Sequence, residues 1–76
     1  MIIIENYSTT YIKINKDESD IFFLAKENLQ VSARSGSIIL TQGSSSYTYP
    51  FTDIKRPKLT TPDEIVVTIR QYIDNV

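Results

Sequence analysis

The sequence predicts an α+β fold: an antiparallel β-meander of four or five strands, forming a small sheet, roll or partial barrel, with one C-terminal α-helix. Three observations carry this. Up to about Pro57 the chain is rich in Ile, Tyr, Thr, Ser and Phe, which suit a pleated surface. Short turn signals interrupt that stretch at intervals a hairpin would use. One strong helix-start signal, Thr61-Pro62-Asp63-Glu64, stands near the end. The 76 residues, 8.7 kDa, have room for one small domain, with strands over about 2–51, a linker over 52–60 and a helix over about 62–74.

The helix rests on its cap. Thr61 at the N-cap can accept a hydrogen bond from the Glu64 amide, and Glu64 can return one to the Thr61 amide. Pro62 falls at the first helical position, where its missing N–H costs nothing. Asp63 and Glu64 sit at the positive end of the helix dipole. Ile65, Ile69, Tyr72, Ile73 and Val76 then follow helical spacing, with Val66 beside them.

Register tests the strands. With Ser35-Gly36 as a two-residue loop, Ala33 faces Ile38 and Val31 faces Leu40. A one-residue slip would set Ala33 against Ser37, a poorer pairing. With Gly43-Ser44 as a type II′ loop, Leu40 faces Tyr47 and Ile38 faces Tyr49, and Phe51 continues that side. With Glu27-Asn28 as a third loop, Leu24 faces Val31 and Phe22 faces Ala33. All three turns agree on one apolar face, which the helix can cover. Pro50 cannot donate to a ladder, so the strand over Tyr47–Phe51 is expected at a sheet edge, a docking strip for another chain.

The first hairpin reads differently. A loop over Lys16-Asp17-Glu18-Ser19 pairs Ile14 with Ile21 and Ile12 with Phe23, on the opposite face, where Ile39 also lies. Met1–Ile4 adds an apolar segment without an evident partner. Two apolar faces with one helix leave two solutions. Either the N-terminal strands fold back to close a small barrel, or a second chain covers the second face.

Several function classes lose support. His 0 and Cys 0 remove the usual base for a serine nucleophile, thiolate chemistry, disulfides and the usual zinc sites. The sequence therefore predicts no catalytic residues, no cofactor and no metal. The Asp17-Glu18-Ser19-Asp20 turn groups carboxylates without the spacing or glycine of a calcium loop, and reads as a solvated hairpin tip. Lys+Arg 8 against Asp+Glu 9 gives net −1, which disfavours nucleic acid as a partner. No apolar run approaches the ~20 residues needed to span a bilayer. Met1-Ile2-Ile3-Ile4 is too short for a signal core, so the expected location is cytosolic, or in a particle released from a cytosol.

What remains is protein contact. At this size the core is thin, and a partner subunit is a common support. The candidate interface residues are Tyr7, Tyr11, Ile12, Ile14, Ile21, Phe23, Ile39, Lys55, Arg56 and Lys58. The tyrosines are of a type enriched at interfaces. Lys55-Arg56-Pro57-Lys58 is the one basic cluster, suited to an acidic partner surface or phosphate.

The segment Phe51-Thr52-Asp53-Ile54-Lys55-Arg56-Pro57, followed by Thr60-Thr61-Pro62-Asp63-Glu64-Ile65 and an amphipathic helix, resembles the closing third of small structural (virion) proteins of tailed bacteriophages. An aromatic-Thr-Asp-Ile run, a proline and a Ser/Thr-capped short helix carry the likeness. It implies a small component that assembles in multiple copies on a capsid, connector or tail, in the virion or the host cytoplasm. It carries over no site residue. The expectation is a non-enzymatic assembly protein forming homo-oligomers or joining a larger particle. The alternative is a small phage-encoded inhibitor or regulator of a host protein. The two differ in stoichiometry.

Overall fold

The computed structural model describes residues 1–74. Its strands are β1 (Ile3–Asn6), β2 (Tyr11–Asp17), β3 (Asp20–Ala25), β4 (Leu29–Arg34), β5 (Ser37–Gln42) and β6 (Ser45–Pro50). A 3-10 turn over Phe51–Asp53 and the helix α1 (Pro62–Asp74) complete the order. The class is α+β with antiparallel strands and one C-terminal helix, as expected. The strands number six rather than four or five, and they form two sheets of three, β1-β2-β3 and β4-β5-β6, instead of one meander.

The second sheet has the expected register. Ala33 pairs with Ile38, Val31 with Leu40, Leu40 with Tyr47 and Ile38 with Tyr49. Ser35 and Gly36 both take positive φ (52° and 77°), the type I′ geometry whose twist matches the strands it joins. β6 is an edge strand, and Pro50 closes it.

The first hairpin departs from expectation by one residue. Asp17 pairs with Asp20, a bulge follows between Asn15 and Asp17, and beyond it Ile14 meets Phe22 and Ile12 meets Leu24. An extra residue in one strand shifts every later pair, and a shift of one moves each side chain to the other face. Ile12 and Ile14 therefore join Phe22 and Leu24 in the core, where both isoleucines are fully buried. Ile21 and Phe23 turn outward.

The Glu27-Asn28 hairpin does not form. β3 and β4 belong to different sheets, and residues 26–28 carry the chain between them. Asn28 at φ 60° makes the bend, and the Leu29 amide donates to the Lys26 carbonyl at 3.2 Å. Leu24 and Val31 still share the core, each from its own sheet.

The Met1–Ile4 segment supplies β1, which pairs with β2 and sets Ile4 opposite Ile14. Its other side is held by residues 53–55. The Ile2 amide donates to the Asp53 carbonyl at 2.7 Å, and the Lys55 amide donates to the Ile2 carbonyl at 2.8 Å. This parallel bridge buries Ile2 and Ile54 and ties the two sheets together. Of the two solutions open to the sequence, the strands close on themselves around Ile12 and Ile14.

α1 lies mainly along β4 and reaches β5 and β1, so it covers the gap between the sheets. Ile65, Val66 and Ile69 are buried, and Tyr72 and Ile73 pack beside them. The Glu64 amide donates to Thr61 Oγ1 at 3.3 Å, as the cap requires. The Glu64 carboxylate accepts from the Thr61 hydroxyl at 3.2 Å. Val76, the last position of the expected apolar stripe, lies outside the described residues.

Candidate functional site

Alternation along β1, β2 and β3 decides what the first sheet shows to solvent. Ile3 pairs with Asn15, Glu5 with Lys13, Lys13 with Phe23 and Asn15 with Ile21, all on the outer face. Beside them the β1–β2 turn delivers two tyrosines. Ser8 Oγ accepts from the Thr10 and Tyr11 amides at 3.1 and 3.0 Å, and the Ser8 amide donates to the Tyr11 carbonyl at 3.1 Å. A serine hydroxyl bonded to the amides that follow it stabilises such a turn.

The rings converge on Phe23. The Tyr7 ring lies 4.7 Å from it, tilted by 55°, and the Tyr11 ring meets it edge-on at 6.3 Å. These are favourable aromatic geometries, yet the cluster faces water. Tyr7 is 59% exposed, Phe23 46%, and Tyr11 and Ile21 are exposed to a similar degree. Lys13 and Glu5 bring one charge of each sign to the same face. Chemically this is a recognition surface, with large rigid rings at its centre and polar groups around them.

Of the sequence-predicted interface residues, the structure brings Tyr7, Tyr11, Ile21 and Phe23 together. Ile12 and Ile14 are corrected: they are core residues, because the bulge at Lys16 turns them inward. Ile39 is half-buried on the outer side of the other sheet, between Ser32 and Thr48, away from Phe23. Arg56 is partly exposed and held by its own chain. Its guanidinium lies 4.2 Å from the Phe51 ring centre and donates to the Phe51 and Ile54 carbonyls at 3.1 and 2.9 Å. It staples the turn before the helix, while Lys55 and Lys58 stay exposed.

The carboxylate turn closes on itself. Asp17 Oδ1 accepts from the Ser19 amide at 2.8 Å and from the Ser19 hydroxyl at 3.0 Å, and these bonds hold its carboxyl below the usual range. Lys16 pairs with Asp20 at 3.6 Å. Among the described residues, no three acidic side chains are placed to hold a metal ion. Tyr49 of β6 is buried on the core side of the second sheet, and burial pushes its hydroxyl pKa up to about 12.

Sequence reasoning overlooked one concavity. A cleft of about 300 Å³ opens where β1, residues 54–57 and α1 meet. Ile4, Ile54, Ile69 and Tyr72 give it apolar lining, and Glu64 and Lys55 add one charge of each sign. No sequence signal marks it, since Ile4 of β1 reaches it from about fifty residues away and the rest comes from the turn before α1 folded against the helix. No described helix is long and apolar enough to cross a membrane.

No protein-family model matches the chain, and comparison with curated proteins and with solved structures finds no match either.

Proposed function

We propose that this chain is a non-enzymatic assembly protein that works through protein–protein contact, as a component of a phage particle. The observation that carries the reading is the exposed Tyr7–Phe23–Tyr11 cluster, extended by Ile21, on the outer face of the first sheet. The fold does not need these rings outside. The same hairpin already supplies Ile12, Ile14, Phe22 and Leu24 to the core. Water-exposed aromatic groups that touch one another are ready-made anchors, because their mutual packing limits the freedom lost on binding. The particle setting comes from the C-terminal pattern of residues 51–65 described above.

The reading is tested in particles produced from the genome that encodes the chain. Mass spectrometry of purified particles should find the chain in multiple copies. Phe23→Lys should be depleted from them while it keeps the wild-type circular dichroism and still unfolds cooperatively. Absence of the chain from particles, or normal incorporation of Phe23→Lys, would refute it. A single copy bound to one host protein would instead support the inhibitor reading.

A further inference from the structure

The β5–β6 hairpin lies in the one long stretch of the chain without a charge. Eight basic and nine acidic residues are spread over 76 positions, yet none falls between Arg34 and Asp53. β6 forms an edge of its sheet within this stretch. Natural sheets guard their edges with charges, bulges or covering segments. β6 pairs without a bulge and has only Pro50, at its end.

Alternation shows which of its backbone groups are open. The Phe51 amide donates to the Gly36 carbonyl at 2.9 Å, on the β5 side. Successive residues of an antiparallel strand aim their peptide groups to opposite sides. Ser45, Tyr47 and Tyr49 therefore bond to β5, while Ser46, Thr48 and Pro50 aim theirs away from it. Pro50 suits that side because it has no N–H to leave unpaired. All three outward residues are exposed. On this side β6 looks across a hollow lined by Lys16, Phe22, Tyr47, Thr48 and Tyr49, and β3 beyond belongs to the other sheet. Lys16 is paired with Asp20 at 3.6 Å, so the hollow brings no net charge to the edge.

An open edge accepts a strand, and the missing charge selects which. A charged partner strand would find only hydroxyls and rings along β6, with no counter-charge. β6 of a second copy brings no charge of its own. Two antiparallel copies of one edge also complement each other about a two-fold axis. With the axis at Thr48, each Thr48 amide meets the Thr48 carbonyl of the other copy, and each Ser46 amide meets the Pro50 carbonyl. The donor that Pro50 lacks then falls at the two ends of the ladder, where water reaches the opposing carbonyl. The same register sets Tyr47 of each copy opposite Tyr49 of the other. Such cross-strand aromatic pairs stabilise a sheet, and Tyr47 is only half-buried within one chain.

We infer that a second copy of this chain pairs antiparallel on β6, joining two three-stranded sheets into one continuous sheet. The pairing uses none of Tyr7, Tyr11 and Phe23, so the aromatic face of each copy stays free.

Sedimentation equilibrium and amide hydrogen exchange, from low to high micromolar concentration, test this on wild type, Thr48→Pro, Thr48→Val and Phe23→Lys. Thr48→Pro removes an outward N–H and leaves the bonds to β5 in place, so it should keep the wild-type circular dichroism. Thr48→Val keeps the amide. Wild type, Thr48→Val and Phe23→Lys should be dimers, and Thr48→Pro should dissociate at least tenfold more readily. In wild type the Ser46 and Thr48 amides should exchange at least tenfold more slowly at high concentration, which reads the same edge without any substitution. A wild type that stays monomeric, exchange at Ser46 and Thr48 indifferent to concentration, or a Thr48→Pro dimer as tight as wild type overturns the inference. A dimer lost in Phe23→Lys but kept in Thr48→Pro also overturns it, and leaves the aromatic-face reading standing.

Discussion

Replacing Ile14 with alanine, beside the same change at Phe23, tests the hairpin register on which the aromatic face depends. Ile14 is fully buried between the sheets, and Phe23 is 46% exposed. Truncating a buried isoleucine to alanine costs about 2–5 kcal/mol, and a side chain with no exposure belongs in the upper part of that range. Full burial of a large apolar side chain contributes about 1.5–3 kcal/mol, so a half-exposed Phe23 stands to lose roughly 1–1.5 kcal/mol. A chain of this length has a total stability of about 4–11 kcal/mol. Ile14→Ala should therefore remove a large fraction of it, and Phe23→Ala a small one. Urea unfolding at low micromolar concentration reads both, because association then adds little to the apparent stability. With a slope of ~1 kcal/mol/M for a small domain, the midpoint should fall by about 3.5–5 M for Ile14→Ala and about 1–1.5 M for Phe23→Ala. Equal costs, or a larger one at Phe23, would refute the bulged register and return Phe23 to the core.

Thr61→Ala should cost about 0.5–2 kcal/mol in the same assay by removing the acceptor for the Glu64 amide. An unchanged midpoint would mean that Thr61 does not cap α1. Gly36→Ala meets no atom within 4 Å, so its cost is that of φ 77° alone, about 1–2 kcal/mol. A neutral result would show that the turn readily changes type. Tyr49 titrates above its ordinary 10.0, so the folded state favours the neutral phenol. The unfolded chain releases that proton first, and stability should fall as pH rises from 10 toward 12. Tyr49→Phe should remove the latest-titrating part of the tyrosinate absorbance, and a titration unchanged by it would count against burial as the cause. Asp17 shifts the other way: its contribution is present above pH 3.8 and lost as pH falls through the lower folded value. Carboxyl NMR on folded protein should find it below that value, and a titration at or above it would contradict the Ser19 bonds.

Local signals were enough wherever the interacting residues are neighbours in the chain. Ser35-Gly36 set the β4–β5 pairing through φ preferences alone, and Gly43-Ser44 did the same for β5–β6. The Thr61-to-Glu64 cap placed the start of α1 because its hydrogen bond spans one turn. The first hairpin was beyond that logic. Ile21-Phe22-Phe23-Leu24 is apolar on both faces, so alternation cannot choose between Ile21 with Phe23 and Phe22 with Leu24. The choice falls to the bulge after Asn15, which lets Ile12 and Ile14 be buried with Phe22 and Leu24 between two sheets. The crossing at residues 26–28 is similar: Asn28 serves a bend within a sheet or between sheets equally well, and only closure by the Ile2–Ile54 bridge and α1 selects the second. For the candidate sites, Tyr7, Tyr11 and Phe23 were legible as residue types, and their meeting was not, since it depends on that register. Leu59 carried no local mark at all. A lone leucine between Lys58 and Thr60 reads as a side chain seeking a core, and only the turn that Pro57 and Thr60 close decides that it points into water.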